Sequence, residues 1–236
     1  QIVRDQDVVC VFGFLFNTYP FLKKIPAAIV VDLYCPTLFE TLENAAETLT
    51  EAKSALCMGI THTLHVQLIV GDFFICASET QRNLWMGALL SAGRINPYTY
   101  LKDKTMRSII DVVPYGLPDS PPVKKRAVMK GSHPAIGKDD IVLLWGGGLY
   151  EWLDPETAVR AMPLIIKERA DVKLVFMGCR HPLADTNSDT FDRTKQLSDS
   201  LGLTGKHVIF LDHWVPYDDR ADYLLEADIG LSLHQQ

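Results

Sequence analysis

Ile141-Val142-Leu143-Leu144-Trp145 is an unbroken apolar run, followed by Gly146-Gly147-Gly148 and then by Asp154-Pro155-Glu156. A short run with no polar alternation is a strand buried on both faces, and such strands belong to parallel sheets covered by helices on both sides. Asp154 reads as a helix N-cap, Pro155 as the first helical residue and Glu156 as a first-turn acid. That helix is expected to reach about residue 169, with Pro163 kinking or interrupting it. A strand at 173–177 follows and ends at Gly178. Next comes a helix near 190–201, with Phe191, Leu197 and Leu201 on one side and Gly202 closing it. A strand at 208–211, a helix at 218–227 and a strand at 229–233 complete the series. Strands alternating with helices imply the α/β class and a parallel sheet.

The first half shows the same alternation less regularly. Strands are expected at 7–14, 27–34, 73–78 and 108–114. Thr37 and Glu40 have capping-box spacing and should open a helix running to about residue 55. Further helices are expected over 60–70 and 79–91. The turn-rich Gly116-Leu117-Pro118-Asp119-Ser120-Pro121-Pro122 and the basic, irregular stretch after it break the pattern. This places an N-terminal lobe at 1–122, a linker at 123–137 and a C-terminal lobe at 138–236. The last expected strand has no helix after it, so the second lobe is expected to be unfinished, and the first likewise.

The formal charge is −6 with no long basic run, which argues against nucleic acid as a partner. The five cysteines form no C-x-x-C pair. They read as free thiols in a reducing compartment, so the chain is expected in the cytoplasm. No run is long enough to span a membrane, and no signal peptide is evident. His62 and His65 stand three apart on an expected helix without a third ligand, so no metal is expected. Trp85, Met86, Leu89 and Leu90 form a helical stripe that serves either as core or as a contact with a membrane surface.

Chemistry is expected at strand ends. The glycines at 146–148 either make a tight turn needing positive φ or let the backbone approach a phosphate closely. A dinucleotide site would need G-x-G-x-x-G and an acid after the next strand. The next strand ends instead in Gly178-Cys179-Arg180, where Arg180 is placed to meet a phosphate or to lie in solvent. His213-Trp214-Val215-Pro216-Tyr217 follows the third strand of the second lobe, at the same edge. In the first lobe Asp32 sits at a strand end, and Glu79 follows another, in helix-cap position.

Three segments carry a family resemblance: FFICASETQRNLW at 73–85, DVVPYGLPD at 111–119, and LLWGGGLYEWLDPETAVRAMPLIIKERADVKLVFMG at 143–178, continuing to ADIGLSLH at 227–234. In this order they resemble retaining glycosyltransferases of the GT-B fold, in the family 4 (group 1) class, over nearly the whole chain. The resemblance implies two Rossmann-like lobes, both incomplete in this chain. It also implies transfer of a sugar, with retention, from a nucleoside-diphosphate sugar, most often a UDP-sugar. The acceptor would be a carbohydrate or a lipid-linked molecule, as in polysaccharide or glycoconjugate synthesis, and a lipid carrier would bring the protein to the inner face of a membrane. No metal or other cofactor is implied. The donor would meet Gly146, Gly147, Gly148, Trp152, Gly178, Arg180, His213, Trp214, Val215 and Tyr217, and Asp32 would serve on the acceptor side. The sequence departs from the family where Leu149-Tyr150-Glu151-Trp152 replaces an expected Arg and Lys. The family's E-x7-E pair is expected beyond Gln236. The alternatives are a nucleotide-sugar epimerase of the same architecture and a non-catalytic nucleotide- or carbohydrate-binding module.

Overall fold

The computed structural model describes residues 2–45, 50–150, 152–179, 189–211 and 213–234. The chain divides into two compact units, Gln1–Leu117 and Pro118–Gln236. Each is built on a four-stranded sheet in which every pairing is parallel. The protein is therefore of the α/β class.

In the first unit β1 (Val8–Phe12), β2 (Ala28–Asp32), β3 (Phe73–Cys76) and β4 (Ile110–Val112) lie side by side in chain order. The register sets Phe12 opposite Asp32 and Asp32 opposite Ile75, so these carboxyl ends share one edge. Helix α1 (Leu15–Thr18) follows β1; α2 (Thr37–Ala45) and α3 (Glu51–Val70) join β2 to β3; α4 (Glu79–Ser91) and α5 (Pro97–Lys102) join β3 to β4. Ile29, Val31, Phe74 and Cys76 are buried while their strand neighbours are only partly covered, so one sheet face carries the core with Leu68, Trp85 and Leu89. The stripe on α4 is thus core at Trp85 and Leu89, and only Leu90 is well exposed. The Trp85 indole donates to the Leu33 carbonyl at 2.8 Å.

Where one helix from Thr37 to about residue 55 is expected, the described residues hold two, α2 over Thr37–Ala45 and α3 starting at Glu51. Thr50 explains the new start: its hydroxyl accepts the Lys53 N–H at 3.2 Å, a side-chain N-cap. Glu40, expected as a capping-box partner, instead accepts the Cys35 thiol at 3.1 Å.

The second unit contains β5 (Ile141–Trp145), α6 (Pro155–Glu168), β6 (Val172–Phe176), α7 (Asp189–Ser200), β7 (Val208–Phe210), α8 (Arg220–Leu224) and β8 (Ile229–Leu231). The strand order is β7-β6-β5-β8, so winding proceeds outward from β5 and then returns to its other side. Asp154 caps α6 by accepting the Thr157 N–H at 3.0 Å. The helix is continuous through Pro163, contrary to the expected interruption; Ala158, Val159 and Met162, all buried, hold it to the core before that residue, and the partly buried Ile165 and Ile166 after it. Gly202 closes α7 in the left-handed region at φ 66°, while Leu201 lies at the surface rather than inward.

Strands β5, β6 and β7 of this sheet are buried on both faces, whereas Ile229 and Gly230 of the edge strand β8 are exposed. Leu143, Trp145, Leu174 and Phe176 pack with α6 and α7, and Val142, Leu144, Val175 and Met177 form a second cluster with Met129, Ile136 and Tyr223. Met129 and Ile136 come from the stretch expected to be a linker. That stretch is instead a strap across the second face. Glu226 accepts the N–H groups of Val128, Met129 and Lys130 at 3.3, 2.6 and 2.9 Å, and pairs with Lys124 at 2.7 Å. Asp222 accepts the Lys125 N–H at 2.6 Å.

The Glu226 side chain is buried, which opposes its charge, but the Lys124 ammonium and the strap N–H groups outweigh that and hold its pKa below the usual value. Removing it leaves buried donors unmet, so Glu226→Ala should cost the second unit about 3 kcal/mol in denaturant unfolding. The lowered folded-state pKa means the stabilisation is complete above the unfolded value, about 4.3, and is lost as pH falls through the folded one. The wild-type advantage over Glu226→Ala should shrink in that acid window and stay constant from there to neutrality.

Candidate functional site

The carboxyl end of β5, where the strand order turns back on itself, is where doubly wound sheets bind ligands. A cavity of about 220 Å³ lies there. It is lined by Gly146, Gly147 and Gly148 after β5, by Met177, Gly178 and Cys179 after β6, and by Trp214 and Val215 after β7. Leu149, Tyr150 and Arg220 complete the lining.

The buried Trp145 at the end of β5 donates its indole N–H to the Gly148 carbonyl at 3.2 Å, which ties the loop to the core. None of the three loop glycines adopts a positive φ, so a tight left-handed turn does not account for them. Gly178 does adopt one, at 78°. Gly148 has a packing reason: a Cβ there would lie 2.6 Å from the Tyr150 ring. That ring stacks on Trp152 at 4.7 Å between centroids and 7° between planes. Gly147 has neither reason. It is exposed, and among the described residues a Cβ there would meet nothing within 4 Å. The N–H groups of Gly147 and Gly148 donate to no backbone carbonyl among the described residues. A glycine with no internal requirement, beside unspent N–H donors, suits a ligand whose oxygens approach the main chain.

Trp214 is half-exposed at the cavity, while Val215 is buried in the core beneath it. The other two residues expected from this loop are not part of the lining. His213 Nε2 lies 3.0 Å from the Tyr223 hydroxyl, and burial raises the pKa of that phenol. Tyr217 is exposed and carries the Arg220 guanidinium over its ring at 5.8 Å. Trp152 supports Tyr150 rather than lining the cavity. Arg180 lies outside the described residues.

Arg220 was not among the expected site residues, although the sequence carries a signal for it. A cation in the first turn of a helix opposes the helix dipole, and Arg220 opens α8 directly after the loop that holds Trp214. It brings a positive charge to a cavity where the sequence after Gly148 supplies none.

In the first unit Asp32 is partly exposed at the end of β2 and lines a separate, larger cavity. Its Oδ1 accepts the Tyr34 N–H at 3.0 Å. Glu79 sits in the first turn of α4, after the Ser78 cap, and pairs with Arg107 at 2.6 Å. No group of His, Cys, Asp and Glu among the described residues is arranged to hold a metal, and no described helix is long and apolar enough to cross a membrane.

Compared with known proteins, the chain matches no family model and no curated protein.

The two neighbouring glycines separate packing from ligand approach. Gly147→Ala should change unfolding free energy by less than about 0.5 kcal/mol. Gly148→Ala should push Tyr150 off Trp152, at a cost of about 1 kcal/mol and with a change in tryptophan fluorescence.

Proposed function

We propose that this protein is a retaining glycosyltransferase of the GT-B type, using a nucleoside-diphosphate sugar, most readily a UDP-sugar, and no metal cofactor. The second unit binds the donor and the first binds the acceptor. The observation that carries the reading is Gly147: a glycine without a conformational or packing reason, at the strand end where the winding reverses. In this reading the diphosphate lies against the Gly147 and Gly148 backbone, Arg220 takes up negative charge as the sugar leaves, and Trp214 stacks on the base. Fixed donors of this kind stabilise the departing diphosphate without reorganising during the reaction. Asp32 lies on the acceptor side, where a carboxylate can accept a hydrogen bond from the attacking hydroxyl and take its proton.

Calorimetric titration with UDP tests the site. The wild-type protein should bind. Gly147→Trp should fold normally, because the position is open, and should lose binding. Arg220→Ala should weaken binding about tenfold, or ~1.4 kcal/mol. Unchanged binding in Gly147→Trp would remove the assignment. For Asp32→Asn, UDP affinity should be unchanged while sugar transfer, followed by UDP release, falls about 100-fold. Sugar turnover that needs no acceptor would indicate an epimerase or hydrolase instead.

A further inference from the structure

The first unit holds a cavity of about 620 Å³ at the carboxyl ends of β1 and β2, within the roughly 300–1,000 Å³ range of small-molecule sites. Phe12, Phe14, Leu38, Phe39, Leu64 and Trp85 give it an apolar character. Phe12, Phe14 and Phe39 are 55%, 43% and 60% exposed, so large aromatic surface is left facing solvent where the cavity begins.

Most polar groups on its walls already have partners. Thr63 accepts from the Asn17 amide at 2.6 Å and donates to the Gly59 carbonyl at 2.9 Å. Gln67 donates to the Gly13 carbonyl, and Glu40 accepts the Cys35 thiol at 3.1 Å. Burial, reinforced by that bond to Glu40, raises the Cys35 pKa and keeps it a thiol. Asp32 differs. Its Oδ1 holds the Tyr34 N–H, while Oδ2 has no hydrogen-bond partner among the described residues. Asp32 and Glu40 are the charged groups of the wall, and no Lys, Arg or His is among the described lining residues.

We infer that this cavity binds a neutral, apolar-bodied alcohol, with its hydroxyl on Asp32, and discriminates against anionic amphiphiles. The apolar walls take the body of the molecule through the hydrophobic effect. The unspent carboxylate oxygen accepts the hydroxyl proton in a charge-assisted hydrogen bond. A carboxylate or phosphate head would bring a second negative charge beside Asp32 and Glu40 with no cation to offset it. A lipid phosphate, as on a carrier-linked acceptor, fits this wall poorly. That the bound hydroxyl is the one glycosylated rests on the transferase reading; the charge preference of the cavity does not.

The test uses the full chain and N-phenyl-1-naphthylamine, an uncharged probe whose fluorescence rises in apolar sites. At about pH 8, where decanoic acid is ionised, 1-decanol should displace the probe at a concentration at least about tenfold below that needed for decanoate. Ala88→Trp on α4 should fill the cavity and weaken probe binding at least about tenfold, with Leu84→Trp at the same wall as a second filling variant. Asp32→Asn should narrow the gap between alcohol and carboxylate at least about threefold. Equal displacement by decanoate, no probe binding to the wild type, or full binding in both Trp variants would overturn the inference. UDP titration of the same samples is the independent control. Lost UDP binding in the wild type would sink the transferase reading and leave the cavity result standing, while UDP binding beside equal displacement would do the reverse.

Discussion

The second unit depends on one requirement: β5 is apolar on both faces and must be covered on both. Leu143 and Trp145 point to one core cluster, Val142 and Leu144 to the other. Amphipathic α6 and α7 cover the first face. The second is covered by a strap with little regular structure, and such a segment brings backbone N–H groups that burial would leave unmet. Glu226 and Asp222 meet them. Two carboxylates buried near α8 therefore let an irregular segment take the place of a helix. The same covered strand ends in Trp145, whose indole fixes the loop that forms the candidate site. Sheet burial and loop geometry are thus parts of one arrangement.

This accounts for what the sequence made legible. The strands of the second unit, the Asp154 cap and the Gly202 stop follow from short-range patterns, and all appear where expected. The 123–137 stretch reads as a linker because its composition is basic and irregular, but its partners lie nearly a hundred residues further along the chain. No local pattern shows that Lys124 and the N–H groups after it face buried carboxylates. Thr50 is a residue type that caps helices and does cap α3, but the helix-forming residues on either side make the segment read as one helix. Pro163 misleads in the other direction: a local rule predicts a break, and buried packing on the same helix keeps it whole.

The candidate site was legible as a place more than as a set of interactions. The glycine loop, Gly178, Trp214 and Val215 converge on one cavity because strand ends of a parallel sheet lie along a single edge. His213, Tyr217 and Trp152 share that neighbourhood but act through other residues, holding Tyr223, Arg220 and Tyr150 respectively. Arg220, which opens α8, joins this cavity through the fold, and its only local signal is a cation in a helix's first turn. The glycines themselves required the structure to be told apart: Gly178 serves backbone conformation, Gly148 serves an aromatic stack, and Gly147 serves neither.

The two cavities also differ in charge. Among the described residues, the second unit's cavity has a guanidinium, unspent N–H groups and no carboxylate. The first unit's has two carboxylates and no cation. A diphosphate is therefore favoured at the former and opposed at the latter, and a neutral apolar molecule gains most at the latter, where aromatic surface is exposed. The protein as a whole is acidic, so an anion's preference for one site rests on groups within a few ångströms rather than on a general field. If the chain joins a charged donor to an uncharged acceptor, as proposed, that difference would keep each substrate out of the other's site. At the wrong cavity a diphosphate meets like charge, and an apolar alcohol finds a smaller cavity, about 220 Å³ against about 620 Å³.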